Sequence, residues 1–171
     1  ASSIAMDKVM TKRVWLAEGL PTPRHVWLAP ERQQREVVRA VPDELGLPLI
    51  VKPPREGSSI GVTKVLGYSQ MQDAVALSLR YDPDVLCEEF IDGDEAIKLM
   101  ALAPGLKANL FASEKQFPEL AKALQMNFDT KGRLWIAVWP NYPETSPTTT
   151  DFDKILILDL DPKTGKVVKT T

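Results

Sequence analysis

A single cysteine, Cys87, and a single histidine, His25, are all that this chain of 171 residues holds of its two most versatile metal-binding and nucleophilic side chains. No disulfide can close within the chain, so nothing in it demands an oxidising compartment. Histidine-based zinc sites and a Ser-His-Asp triad have little to stand on. His25, just before Val26-Trp27-Leu28, reads as a structural residue of a strand. Charge of one sign is also missing, since 21 basic residues face 23 acidic ones for a net charge of -2, with no basic block. That balance speaks against a nucleic-acid partner. Long apolar runs are absent too. The longest, Leu134-Trp135-Ile136-Ala137-Val138-Trp139, falls well short of the ~18 residues a membrane span needs. With 44% hydrophobic residues the chain reads as a soluble globular protein of one or two small domains. It opens on Ala1 rather than Met, with no signal peptide ahead of the first helix, and reads as an excerpt.

What is present is a strand end followed by a Gly/Ser loop, Val51-Lys52-Pro53-Pro54-Arg55-Glu56-Gly57-Ser58-Ser59-Ile60-Gly61-Val62. A lysine ammonium is a compact point charge, and small residues let backbone N–H groups approach phosphate oxygens closely. The spacing is not that of a Walker loop, which needs four residues between its glycines and a Gly-Lys-Ser/Thr ending. The plain alternative is a solvated turn between two strands.

Two further segments stand in order around this loop. Upstream, Ala5-Met6-Asp7-Lys8 opens a helix whose Met6, Val9, Met10, Val14 and Ala17 follow helical spacing and which stops at Gly19-Leu20-Pro21. Downstream lies Val85-Leu86-Cys87-Glu88-Glu89-Phe90-Ile91-Asp92-Gly93-Asp94-Glu95. Together the three segments, over about residues 1–95, resemble the central nucleotide-binding lobe of ATP-grasp enzymes, and most closely of the D-alanine-D-alanine ligases. That family couples two amino acids through an acyl phosphate, formed when a substrate carboxylate attacks the γ-phosphate of ATP, with magnesium between the phosphates. The resemblance implies that Lys8 and Lys52 reach the ATP phosphates, where positioning and charge neutralisation supply most of the catalysis. It implies that Glu56, Gly57, Ser58 and Ser59 form the loop closing over the triphosphate. Glu88, Glu89, Phe90 and Ile91 would hold adenine, Glu89 through its backbone, and Glu95 would take the ribose hydroxyls. Each residue also has a plainer reading. Lys8 and Lys12 suit the polar face of an amphipathic helix, Glu88 and Glu89 the solvent side of an edge strand, and Asp92-Gly93-Asp94 a turn.

The pattern over residues 1–95 predicts an α+β lobe of helices on an antiparallel sheet. Strands are expected at His25 to Ala29, Leu49 to Lys52, Gly61 to Leu66 and Val85 to Ile91, the middle two paired around the loop. A helix from about Glu31 to Ala40 would turn Val37 and Val38 inward. Ser69 and Gln72 read as a capping box for a helix with Met71, Ala74, Val75 and Leu79 on one face.

Beyond Glu95 the family's second lobe, with its magnesium ligands and acceptor site, is not recognisable, so no catalytic or metal-binding residue is assigned. Asp159 and Asp161 alternate onto one strand face, but Pro162-Lys163-Thr164-Gly165-Lys166 reads as a hairpin turn rather than a metal loop. Pro104 to Ser113, Met126 to Ala137 with its Phe128-Asp129-Thr130-Lys131-Gly132-Arg133-Leu134-Trp135 strand-turn-strand unit, Tyr142-Pro143, and Ile155 to Asp161 resemble the start of a β-propeller. The likeness is to propellers of the bacterial membrane-bound-dehydrogenase type, with material for about one and a half blades. Residues 96–171 are thus expected to be an all-β partial domain, its strands pairing among themselves, and the chain reads as a chimera joined near Gly93 to Ala101. The resemblance implies ATP with magnesium as ligand, D-alanine as a substrate only if the remaining lobes are supplied, and little turnover by this chain alone. Ligases of this kind act in the cytoplasm whereas the propeller family is exported, and the cytoplasm is the expectation adopted. The alternatives are a fragment of an exported propeller protein and a scaffold without activity.

Overall fold

The computed structural model describes residues 2–120, 122–141 and 152–171. The chain divides into two units, Ala1–Asp92 and Gly93–Thr171, three residues earlier than the boundary expected after Glu95.

In the first unit, the helix expected from Met6 is two helices, α1 (Ser2–Met6) and α2 (Lys8–Ala17). Asp7 separates them. Its backbone is extended, and its carboxylate accepts hydrogen bonds from the amides of Val9 (3.0 Å) and Met10 (3.1 Å), satisfying donors that the first turn of α2 leaves open. Of the apolar positions that set the helical period, Val9 is buried while Met6, Met10 and Val14 remain substantially exposed.

Strands β1 (His25–Leu28), β2 (Leu49–Lys52), β3 (Thr63–Val65) and β4 (Val85–Glu89) form an antiparallel sheet in the order β1-β4-β2-β3. Helices α3 (Arg35–Leu45) and α4 (Met71–Ser78) cover one face of it. Val26, Leu28, Leu49, Val51, Val65, Val85 and Cys87 alternate onto that face and pack with Val38, Val41, Leu45, Met71, Ala74 and Val75.

Two helix expectations need correction. The helix placed at Glu31 to Ala40 starts later and runs five residues further, to Leu45, with Pro30–Arg32 a separate 3₁₀ turn. Pro42 removes one backbone donor, but Val41, Pro42 and Leu45 are all buried, and that burial carries the helix through to Gly46. The capping box at Ser69 and Gln72 does not form. Tyr68–Gln70 is a 3₁₀ turn leading into α4, and Gln70 bonds back through its Oε1 to the amide of Leu66 (2.7 Å). Leu79 lies just past the end of α4 and is exposed.

The second unit carries α5 (Gly93–Lys98) and a four-stranded antiparallel meander, β5 (Ala123–Phe128), β6 (Leu134–Val138), β7 (Lys154–Leu160) and β8 (Val167–Thr170), in sequential order. It is therefore not all-β. Asp94 and Glu95 in the first turn of α5 and Lys98 in the last suit the helix dipole, and Glu95 pairs with Lys98 at 2.5 Å. Its core gathers Leu120, Leu134, Ile136, Val138, Leu156 and Leu158, with Ala112, Phe117 and Val167 against them. The segment from Phe111 to Leu120 supplies part of this cover without being a strand.

The hairpins are closed by aspartates. Asp129 accepts from the amides of Lys131 and Arg133 (both 2.9 Å), from Arg133 Nε (2.7 Å) and from Trp135 Nε1 (3.0 Å). Partial desolvation works against its ionised form, but these hydrogen bonds outweigh it and hold the carboxyl well below the usual carboxylate range. Asp161 does the same for the last hairpin, accepting from Lys163 N (2.8 Å) and Thr164 N (2.9 Å). Its carboxylate is engaged in turn formation. Tyr142-Pro143 lies outside the described residues.

Candidate functional site

Strand alternation sends His25, Trp27, Ile50, Lys52, Lys64, Leu86 and Glu88 to the face of the first sheet opposite α3 and α4. Only part of this face is closed, on the side of β1 and β4. There Lys12 of α2 is buried against Glu88 (Nζ to Oε1, 2.8 Å) and also donates to Thr22 Oγ1 (2.7 Å) and the carbonyl of Pro23 (3.0 Å), while Arg13 stacks over the Trp27 ring at 4.8 Å.

Glu88 is the hub. Register places it opposite His25 on one side and Ile50 on the other, and Lys52 stands diagonally across on β2, in ion-pair contact with its second oxygen. Burial alone would raise its pKa; the hydrogen bonds and positive charge of Lys12 and Lys52 more than reverse this, so Glu88 is held below its ordinary value. β4 is an inner strand of the sheet, which removes the edge-strand reading of Glu88 and Glu89.

Lys8 reaches the same region from the start of α2. Its Nζ donates to the carbonyls of Pro54 (3.1 Å) and Glu56, and its amide also bonds Pro54 O at 3.1 Å, tying the helix start to the Gly/Ser loop. Burial and then the charge of Lys52 depress the Lys8 pKa, against the pull of Glu88, Glu56 and Asp82. The Lys8 ammonium, disfavoured by the charge of Lys52, stands beside a loop of small residues, an arrangement that an anion between the two lysines relieves.

The loop has its own geometry. The amide of Ile60 bonds the carbonyl of Gly57 at 3.0 Å, and the two residues between, Ser58 (φ 51°) and Ser59 (φ 61°), both take the left-handed conformation that a type I′ turn requires. Non-glycine residues pay a conformational cost there, which marks the tip of the loop as strained. Its base is held by Arg55, a residue that sequence reasoning passed over. The guanidinium meets Asp82 (2.6 Å), Asp84 (2.5 Å) and Asp7 (3.3 Å), and the Arg55 amide meets the second oxygen of Asp82 (3.0 Å). The Asp84 and Asp82 carboxylates, reached across the fold, could not have been found from local spacing.

Gly61 closes the loop at φ +65°, with room for no side chain. A Cβ there would stand 2.7 Å from Tyr81 Cδ2 and 3.2 Å from the Pro53 ring. Gly61→Ala is expected to destabilise the first unit by about 2 kcal/mol, from left-handed backbone plus steric conflict, read as a lowered urea midpoint at unchanged slope.

The remaining expected residues divide. Phe90 follows β4, its amide bonded to Pro48 O (3.3 Å) and its ring partly exposed beneath Lys64, while Ile91 is half-buried. The Glu89 carboxylate turns away from the lysines. It accepts from the Arg24 amide and Nε, both at 2.8 Å, and Arg24 in turn donates to the carbonyls of Glu44 and Leu45 at the end of α3 (3.0 Å each). Glu95 belongs to the second unit, on α5. Two residues drop out as reactive groups. Burial pushes the Cys87 thiol up to about 12, and burial together with the charge of Lys12 lowers the His25 pKa, leaving it neutral at pH 7. Among the described residues no three His, Cys, Asp or Glu side chains gather to hold a metal.

An antiparallel sheet backed by helices on one face is the α+β arrangement of ATP-grasp ligase structures. Residues 14–103 match the protein family described as D-ala D-ala ligase C-terminus, and the chain belongs to that family. Residues 92–170 match a domain of unknown function, DUF7133. The D-alanine–D-alanine ligase of Methylibium petroleiphilum is 85% identical over 95 residues, 56% of this chain and 30% of that protein. The ligase of the same name from a Polaromonas species is 64% identical over 95 residues, 56% of this chain and 28% of that one. Among solved structures, the VanG D-Ala:D-Ser ligase from Enterococcus faecalis superposes with a TM-score of 0.50 at 30% identity, over 54% of this chain and 26% of that one. The chain thus spans less than a third of the length of these curated relatives.

Proposed function

We propose that the first unit holds Mg-ATP as the nucleotide-binding lobe of an ATP-dependent D-alanine–D-alanine ligase, a cytoplasmic enzyme of peptidoglycan precursor synthesis. The observation that carries this is the pairing of Lys8 with Lys52 beside the Gly/Ser turn, on a sheet face that α2 leaves partly open. Both ammonium groups rest on protein oxygens, Lys8 on two carbonyls and Lys52 on Glu88. A phosphate gives Lys8 the counter-charge that the two carbonyls lack, and offers Lys52 an anion in exchange for the one it already holds. Glu88 keeps Lys12 when Lys52 is drawn to phosphate, so the exchange leaves no buried charge alone. Glu56 to Ser59 close over the triphosphate and the Glu88 to Ile91 segment takes the adenine. Joining two D-alanines also needs groups supplied from outside the matched segment, and D-alanine is a substrate of the completed ligase rather than of this lobe. Residues 1–95 are the ligase part of this reading and residues 96–171 a blade-like partial domain of propeller type. The sequential four-stranded meander with aspartate-led turns supports the latter.

Calorimetric titration of Mg-ATP into the full chain, beside Lys52→Ala, tests the nucleotide reading. Saturable binding is expected, weakened about 10- to 100-fold in the variant for loss of a charge-assisted contact of about 1.5–3 kcal/mol. Binding that is absent in the parent chain, or equal in both, overturns it.

A further inference from the structure

Lys64 stands on β3, at the edge of the first sheet, on the same open face as Ile50 and Glu88. Its register partner is Ile50 on β2, with Glu88 beyond on β4, so Ile50 lies between Lys64 and β4. The Lys64 side chain nevertheless reaches to the end of β4, where its Nζ sits 3.5 Å from the centroid of the Phe90 ring. Lys64 forms no ion pair among the described residues, and the aromatic face is the partner its ammonium has found. The register puts Phe90 beyond Leu49, at the opposite end of β2 from Lys52 and the loop.

We infer that Lys64 is a specificity-determining residue of the nucleotide site, a cation seated on Phe90 that a planar base must displace in order to stack there. This rests on the nucleotide reading of the same face. A ring face cannot hold an ammonium at 3.5 Å and a stacked base at once, so base binding exchanges a cation–π contact for aromatic stacking. Such an exchange favours flat, extended purine rings, which regain the most stacking area, and penalises smaller rings that do not repay the lost contact. The phosphate end of a ligand, held by Lys8 and Lys52, is indifferent to it. A plainer role, in which Lys64 only shields Ile50 from water, makes the opposite forecast for ligand binding.

The test uses the full chain with isotope-labelled lysine, and follows the ε-methylene protons of Lys64 by NMR while adenosine and inorganic tripolyphosphate are added separately. An upfield ring-current shift is expected in the free protein and absent in Phe90→Leu. Adenosine should abolish it and tripolyphosphate leave it. Lys64→Met, which keeps the stem and removes the charge at an exposed position, should tighten adenosine binding about three-fold, the worth of an exposed cation–π contact, with tripolyphosphate affinity unchanged. A shift that persists at saturating adenosine, or adenosine affinity that is unchanged or weaker in Lys64→Met, overturns the inference while leaving the phosphate site intact. Failure of both adenosine and tripolyphosphate to bind overturns the nucleotide reading and this inference with it.

Discussion

Replacing Glu88 with alanine is expected to destabilise the first unit by about 3–5 kcal/mol, because it leaves Lys12 buried with its charge uncompensated. The side chain of Lys12 is only 6% exposed and that of Glu88 10%, so water cannot take over the role of the lost carboxylate. Lys52, at 21%, is better placed to reorient toward solvent, and the penalty falls mainly on Lys12. Urea unfolding is the measurement. The control is Lys12→Met with Glu88→Leu, which removes both charges and is expected to recover most of the loss, since well-packed apolar residues can replace a buried pair without cost. Recovery no greater than in the single variant would mean that Glu88 matters for its shape and not for its charge. The pH dependence follows from the same geometry. Glu88 titrates below its ordinary value of 4.5 in the folded protein, burial opposing and the two lysines prevailing. Its contribution is therefore fully present above the unfolded pKa and disappears as pH falls through the lower folded one. The parent chain should lose this increment as pH falls below the ordinary glutamate value of 4.5, and Glu88→Gln should lack that part of the acid dependence.

Leu158→Ala is expected to destabilise the second unit by about 2–5 kcal/mol, while Phe128→Ala on the same sheet changes it by no more than about 0.5 kcal/mol. Register puts Leu158 opposite Leu134, and Leu134 opposite Phe128, so all three share one face. Leu158 is fully enclosed by the cluster around Leu134, Ile136, Val138 and Leu156, whereas Phe128 on the outer strand is 59% exposed and Met126 67%. Deleting Leu158 opens a cavity; truncating Phe128 removes surface already in water. Thermal unfolding followed by tryptophan fluorescence reads both, through Trp135 and Trp139. A large loss in Phe128→Ala would show that the outer strand is covered in solution.

Strand and helix identities in the first unit were legible because period-two and period-3.6 apolar patterns reflect one buried face each, as at Leu49 and Val51 or Met71, Ala74 and Val75. Boundaries were less so. The helix expected to stop near Ala40 continues through Pro42, because burial of Val41 and Leu45 outweighs one missing hydrogen bond. Ser69 and Gln72 have the spacing of a capping box, yet Gln70 takes the local hydrogen bond instead. The candidate site was legible as residue types. Lys8, Lys52 and Glu88 stood out through the family resemblance; Lys52 and Glu88 pair on one sheet face, and Lys8 reaches the loop beside them from α2. Lys12, which also suits the polar face of an amphipathic helix, is buried on Glu88, and neither Arg55 nor Lys64 carried a local signal.

The sequence by itself determined which segments form helices and strands and the change of character near Gly93, because periodicity and turn preference act over a few neighbouring residues; the lysines and the Gly/Ser loop stood out through their resemblance to the ligase family. Tertiary structure alone decided the charge arithmetic of the site. Lys12, Lys52 and Glu88 lie far apart in the chain, and Asp82 and Asp84 are likewise remote from Arg55. Only a sheet that sets β4 beside β2 brings carboxylate and ammonium within contact, and only burial there turns such contacts into forces strong enough to hold the loop and its lysines in place.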